Sequence, residues 1–383
     1  MKILYLHHVA AMHGATLSLF ATIKGLKDRG LDVVLVFPSN WPCEEEFIYA
    51  LDELHIKSYS ANIVQSKVDK NYYRHLSIYK RCKLRLSLYK NRLKSFIELS
   101  RIIEKERPDV IHTNVGVIHE GFWLAKRYGI PHVFHLREYQ DKDFHWEILP
   151  SKLIFEKLLR KSAVITITDD IRSHFGLTNY DGACTIYNGI CSIKDMCFDA
   201  SKEKFFFCAS RISPEKGYEP IIESFGNFHI THPDYKLVIA GIGTKEYTDY
   251  LKTIAREKNC TESVIFLGLI NNVLDYMRKA TALIVGSYNE GFGRMTAEAA
   301  FSGCIVIGRN TAGTKEIIDK IGGYRFDDDS EIEHLMYEVS SMSNSEYARF
   351  ALNSQKKSLE LFSIEQNVEK IYTLYKEITS CSK

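Results

Sequence analysis

The sequence predicts an α/β protein of two domains, each built on a doubly wound parallel sheet, and three observations carry that reading. A chain of 383 residues is long enough for two domains of ordinary size. Short apolar runs alternate with stretches of helical period along nearly the whole chain, the pattern of strand–helix–strand units. That rhythm lapses near residue 190 and then restarts, dividing the chain into halves of similar length. The expected boundaries are a first domain at 1–190, a linker at 191–203, a second domain at 204–362 and a last segment at 363–383.

In the first half, Ile3–Leu6 and Val33–Phe37 are short and apolar enough to be buried strands. Between them Ala15–Asp28 has helical period and stops at Gly30. Val110–His112, His132–His135, Val164–Thr166 and Cys184–Tyr187 continue as strands, with helical segments near 117–128 and 144–161. Asn188-Gly189 marks a turn, and Ile190 to Ser201 shows no period, as a linker would. In the second half Phe205–Ala209, Lys236–Ala240, Val264–Leu267, Ala282–Val285 and Ile305–Ile307 read as strands, each followed by a helical segment.

One segment, about 67–106, breaks the rhythm. Tyr72, Leu76, Tyr79, Cys82, Leu86, Tyr89, Leu93 and Phe96 recur at steps of three and four, which predicts a long amphipathic helix or a helix pair. Arg74, Lys80, Arg81, Lys83, Arg85, Lys90, Arg92 and Lys94 fill the other positions, with no acid until Glu98. Two readings stand: a solvated face, or docking of residues 74–94 on an anionic membrane surface. On such a surface each basic residue contributes about 1 kcal/mol. No nucleic-acid-binding fold is visible, so nucleic acid is not an expected partner.

Composition narrows the setting. A hydrophobic content of 45% supports real cores, and a net charge of +2 means that any charged partner surface is local. The nine cysteines are scattered, with no Cys-x-x-Cys pair and no zinc spacing, as expected of reduced thiols in a cytoplasmic protein. Four apolar residues before His7-His8 are too few for a signal peptide, and no run is long enough to span a membrane.

The chemistry concentrates at strand ends. Open parallel sheets bind ligands beyond the carboxyl ends of their strands. His112, His135, Arg211, Gly241 and Glu290 all fall at or just past such ends, which predicts one cleft between two facing sheets. In Glu290-Gly-Phe-Gly-Arg-Met-Thr-Ala-Glu298, two carboxylates flank Gly291, Phe292 and Gly293 at a strand-to-helix junction. A helix starting near Gly293 would offer free N–H groups and a positive end to a phosphate. Carboxylates that accept from hydroxyls beside a phosphate site suit a nucleotide sugar; a capping loop with two solvated acids has the same spacing. Arg211-Ile-Ser-Pro-Glu-Lys216-Gly217 puts two cations at the mouth of the cleft, where a leaving diphosphate needs neutralising. A surface turn with solvated charges is the alternative.

Gly241-Ile-Gly243 and Gly14 are further places where a ligand could approach backbone, although Gly14 also reads as a plain helix-entry glycine. His135 could contact a transferred sugar, with Arg137 or Glu138 orienting it; a structural histidine is the alternative. Asp141-Lys-Asp143 matches a metal-binding pattern of some sugar transferases but follows a loop instead of a strand end, so no metal is expected.

In combination these features resemble the retaining glycosyltransferases of the GT-B family 4 / group 1 type. The resemblance covers nearly the whole chain and is strongest over Lys204–Lys320. It rests on Arg211…Lys216-Gly217, Ala240-Gly-Ile-Gly243, Phe266-Leu-Gly268, Ser287-Tyr-Asn-Glu290-Gly-Phe-Gly…Glu298-Ala, Ser302-Gly303 and Ala312-Gly-Thr-Lys-Glu316. It implies the GT-B fold, two facing Rossmann-like domains with an interdomain cleft, and a nucleoside-diphosphate sugar as donor substrate with no cofactor or metal. Arg211 and Lys216 would hold the diphosphate. Glu290 would bind sugar hydroxyls with the amides of Gly291–Gly293, and Glu298 the ribose. Gly14 would approach the donor and His135 the reacting sugar. A last helix near Ser363–Ile378 would cross back to the first domain.

The chain departs from the family pattern at His13-Gly14-Ala15-Thr16, at Gly286 where a proline is usual, and at Asn114 where a second histidine is common. Most of these lie in the acceptor-side half. The expected activity is therefore metal-independent, retaining transfer to a glycan or lipid-linked acceptor. Its setting would be bacterial surface polysaccharide assembly, in the cytoplasm or peripheral on the inner face of the membrane. A nucleotide-sugar epimerase or phosphorylase, or a silent nucleotide-sugar-binding protein, are the rival readings.

Overall fold

Most of the apolar runs become strands buried on both faces, Val264–Gly268 being mostly half-buried. In chain order the strands of the first half are β1 (Lys2–Leu6), β2 (Asp32–Pro38), β3 (Lys57–Ala61), β4 (Lys67–Asp69), β5 (Val110–Thr113), β6 (His132–Leu136), β7 (Trp146–Ile148), β8 (Ala163–Thr166) and β9 (Ala183–Thr185). Those of the second are β10 (Phe205–Ala209), β11 (Lys236–Ala240), β12 (Val264–Gly268), β13 (Ala282–Val285), β14 (Ile305–Arg309) and β15 (Tyr324–Phe326). The computed structural model describes residues 1–196, 198–199 and 201–380. Cys197 and Ala200 of the expected linker, and 381–383 of the expected last segment, lie outside the described residues.

The chain divides into two units. One is Met1–Gly189 together with the helix Ile364–Ser380, and the other is Ile190–Ser363. In the first, a seven-stranded sheet runs β3-β2-β1-β5-β6-β8-β9, with every pair parallel. In the second, a six-stranded parallel sheet runs β12-β11-β10-β13-β14-β15. Strand order reverses between β1 and β5 in one and between β10 and β13 in the other. These are the switch points where doubly wound sheets leave a crevice.

The helix Ile364–Ser380 buries Val368, Ile371 and Tyr375 in the core of the first unit. Gly25, on the helix Gly14–Asp28, is what lets it in. A Cβ there would lie 2.5 Å from Val368 Cγ2, closer than packing allows.

Two expectations needed correction. Residues 144–161 are not one helical segment. Trp146–Ile148 pairs antiparallel with Lys67–Asp69, and the helix starts only at Lys152, capped by Ser151. Pro150 explains the break, because a helix interior would need its missing N–H. Of the helix or helix pair expected over about 67–106 the structure forms the pair, but the segment opens with strand β4. It then forms a short helix, Lys70–His75, capped by Asp69, and a long one, Ile78–Glu106, capped by Ser77. Extended backbone at Leu76 separates the two.

Candidate active site

In the second unit the switch point is built by glycines. After β10 the chain makes a short turn at Pro214–Lys216, and Gly217 turns left-handed with φ 64°. A Cβ on Gly217 would lie 2.4 Å from the Gly286 carbonyl oxygen, and one on Gly286 2.6 Å from that of Gly217. The loop after β10 is thereby pressed against the end of β13, and the Tyr288 amide donates to the Glu215 carbonyl (3.1 Å). The buried Arg309 secures the same corner by donating from Nε to the Gly286 carbonyl (2.8 Å). This approach accounts for glycine, in place of the family's proline, at position 286.

The corner puts Lys216 Nζ 2.5 Å from Glu290 Oε1, a pair joining residues 74 apart in sequence with side chains only 18% and 24% exposed. Arg211 pairs with Glu215 at 2.6 Å, with both side chains mostly exposed. Glu298 sits in the helix Arg294–Phe301, buried and 2.6 Å from Arg294 Nε. Burial raises its pKa, and Arg294 opposes the rise. Each predicted cation or acid of this half thus already has a partner of opposite charge.

The loop residues divide by role. Gly293 takes φ 81° immediately before the helix, as only glycine does freely. Phe292 is buried edge-on against Phe362 (5.7 Å), so its side chain serves packing. The Gly313 amide fastens this loop by donating to the Glu290 carbonyl at 2.8 Å. Gly241 and Gly243 have an internal cause. Added Cβ atoms would lie 1.8 Å from the Ser210 carbonyl oxygen and 2.3 Å from that of Ile212. Both glycines therefore admit the neighbouring chain, whatever else they admit.

In the first unit the switch point holds a buried polar network. Gly14 begins its helix exposed, with open space beside it. His135 lies within β6, not past its end, and is fully buried. Its Nδ1 is 3.2 Å from His112 Nε2, and its Nε2 meets no hydrogen-bond partner among the described residues. Burial first, then Arg137 and His112, holds its pKa well below the usual range, so the ring is neutral. Arg137 donates to Asn114 Oδ1 (3.0 Å) and Asn188 Oδ1 (2.7 Å). The departure at Asn114 thereby acquires a function: it accepts from Arg137 and meets His7 Nδ1 at 3.2 Å.

Glu138 is buried, and burial pushes its pKa up to about 7 despite the opposing charge of Lys67. Lys67 lies 3.0 Å above the Trp146 ring, its own pKa lowered to about 8 by burial. Asp141 faces Lys152 and His174, and Asp143 accepts from the Tyr139 amide. Among the described residues no three His, Cys, Asp or Glu groups gather as metal ligands.

Sequence reasoning missed Tyr5, Tyr375, Lys67 and Glu215. Only Glu215 left a signal, standing four residues from Arg211 in the turn.

The chemistry available in the second unit is exchange of ion pairs. A diphosphate meeting Arg211 and Lys216 would replace Glu215 and Glu290, freeing Glu290 to accept hydrogen bonds from hydroxyls. Residues 12–191 match the family described as Glycosyltransferase Family 4, and residues 198–357 match Glycosyl transferases group 1. An uncharacterized glycosyltransferase of Methanocaldococcus jannaschii is 24% identical over 288 residues, covering 73% of this chain and 78% of that protein. A lipopolysaccharide core biosynthesis mannosyltransferase of Rhizobium leguminosarum is 25% identical over 114 residues, 29% of this chain and 32% of that one. The structure of Anabaena HepE, in complex with UDP and glucose, superposes with a TM-score of 0.74 at 18% identity, covering 98% of this chain and 99% of HepE.

Proposed function

The chain belongs to the group 1 / family 4 glycosyltransferases of GT-B fold, and on that premise we propose that it moves a sugar, with retention, from a nucleoside-diphosphate sugar to a glycan or lipid-linked acceptor. The observation that carries this reading is the Lys216–Glu290 pair at the switch point of the second sheet. A cation for phosphate and a carboxylate for hydroxyls stand 2.5 Å apart, as a diphosphate joined to a sugar requires. Arg211 adds the second cation, Glu298 the ribose contact, and the amides of 291–293 the helix-end donors. His135 contacts the transferred sugar. Two preorganised cations neutralise the leaving diphosphate without a metal. HepE with UDP and glucose, and the Rhizobium lipopolysaccharide enzyme, support a UDP-type donor and a bacterial surface glycan as acceptor.

The test is incubation with a panel of nucleoside-diphosphate sugars and candidate acceptors. Nucleoside diphosphate should appear only when an acceptor is present, and NMR should show the donor's anomeric configuration in the product. An altered sugar without acceptor would indicate an epimerase, and binding without turnover a silent protein. An inverted product would overturn retention.

The setting we propose is cytoplasmic and peripheral to an anionic membrane, and the exposure of the helix Ile78–Glu106 favours it. Its buried side chains are Ser95, Leu99, Ile102, Ile103 and Glu106. The stripe of Ile78, Tyr79, Leu86, Tyr89, Leu93 and Ile97 faces solvent instead, with Ile78 81% and Tyr89 60% exposed. At about 100° per residue these side chains share one sector of the helix. Lys83, Lys90 and Lys94 border that sector on one side, Arg81 and Arg85 on the other. An apolar stripe between cations fits a bilayer of anionic lipid, and like charges oppose a second copy docking there. Among the described residues no helix is long and apolar enough to cross a membrane. Binding to phosphatidylglycerol vesicles should fall steeply with salt and be lost when Tyr89 and Leu93 become serine, while donor turnover in solution persists. Equal binding to neutral vesicles, or none to anionic ones, would refute the docking.

A further inference from the structure

We propose that Tyr375, on the terminal helix, acts through His112 to fix the tautomer of His135, so that His135 presents an N–H, not a lone pair, to the transferred sugar. The proposal rests on the reading of His135 as a sugar contact. It follows from one chemical fact: a guanidinium only donates.

Arg137 Nη2 lies 3.4 Å from His135 Nδ1, so Nδ1 is an acceptor and the proton of the neutral ring is on Nε2. His112 Nε2 faces the same Nδ1 at 3.2 Å and must therefore carry a proton too. Both contacts are long, as expected of two donors sharing one lone pair. His112, also held neutral by burial, then has its lone pair on Nδ1, 2.6 Å from the Tyr375 hydroxyl. Tyr375 must donate to it. The Tyr375 oxygen is left to accept from the Tyr5 hydroxyl, also 2.6 Å away. Every proton from Tyr5 to His135 is thus assigned.

A second arm anchors Arg137 independently. Its Nε donates to Asn114 Oδ1, which turns the Asn114 amide nitrogen toward His7 Nδ1. His7 Nε2–H then donates to Thr16 Oγ1 (3.0 Å), whose own proton goes to the Ala11 carbonyl (2.7 Å). Both arms agree on the direction in which Arg137 is held. The chain ends at His135 Nε2–H, buried and with no partner among the described residues. Such a donor matches a sugar hydroxyl or ring oxygen, and it cannot act as a base.

Tyr375 is accordingly a positioning residue. Tyr375→Phe removes the only donor to His112 Nδ1 among the described residues, so His112 can change tautomer and confront His135 with a lone pair. Nitrogen-15 NMR of the full-length protein should show Nε2–H at both histidines in the wild type and a mixture at His135 in Tyr375→Phe. Turnover should fall roughly 2- to 10-fold, the worth of one neutral hydrogen bond, with binding of the bare nucleoside diphosphate unchanged. Tyr5→Phe loses a buried hydroxyl of the same network but leaves the Tyr375 donation intact, so its His135 tautomer should remain that of the wild type. Nδ1–H at wild-type His135, or identical spectra for Tyr375→Phe and wild type, would overturn the proposal. Unchanged turnover in His135→Ala would refute the sugar contact instead, whatever the tautomer.

Discussion

Lys216→Ala should lower kcat about 10- to 100-fold while raising the donor KM less, and the effect of Arg211→Ala should be smaller. The diphosphate is negative when it binds and gains charge on its bridging oxygen as the sugar departs, so a cation there acts most on the transition state. A charge-assisted hydrogen bond is worth roughly 1.5–3 kcal/mol, which sets the range. The structure separates the two cations. The Lys216 side chain is 18% exposed against Glu290, whereas that of Arg211 is 70% exposed beside Glu215. Water weakens the more exposed one. Removing Lys216 also leaves the Glu290 carboxylate uncompensated, so Lys216→Ala combined with Glu290→Gln should lose less than the two single losses multiplied. The Arg211/Lys216 double substitution should likewise be non-additive, since both serve one phosphate. Steady-state kinetics decide this, and wild-type turnover in the double variant would move the chemistry to another part of the molecule.

The strands legible in the sequence were those buried on both faces, such as Ile3–Leu6 and Val33–Phe37, where continuous apolar runs have few alternatives. Lys57–Ala61 was missed because it is an edge strand with most of its side chains exposed, and Tyr324–Phe326 because three residues at an edge of the second sheet give no pattern. Periodicity showed that 72–96 carries an apolar stripe but not which way it faces, since spacing is the same whether a stripe is covered or bare. Glycines posed a similar ambiguity. Gly241 and Gly243 announce close approach, and only coordinates show that what approaches is the chain after β10. The charged residues of the second unit were legible because chemistry at strand ends is local. Tyr5 and Tyr375 were not, since their hydroxyls meet across 370 residues of sequence.

Glu138→Gln should stabilise the protein at alkaline pH and lose that advantage as pH falls. Burial places the Glu138 pKa at about 7 against an ordinary 4.5. The folded state therefore binds this proton more tightly than the unfolded chain does. The corresponding stability is fully present below about pH 4.5 and is lost progressively as pH rises to about 7. A displacement of that size corresponds to about 3 kcal/mol at most. Glutamine keeps the shape and cannot ionise, so the variant should exceed the wild type by up to that amount at pH 8, with the gap closing near pH 5. Glu120, also raised to about 7 by burial, titrates in both proteins and cancels in the difference. The attraction of Lys67 for the ionised carboxylate already moderates the Glu138 value, and Asp143 acts against it. Urea unfolding of both proteins at the two pH values measures the gap. A gap independent of pH, or a wild type more stable at pH 8, would mean that the Glu138 carboxylate is ionised and satisfied in the folded protein. It would then be available as a base, a role its buried, protonated state denies it below neutrality.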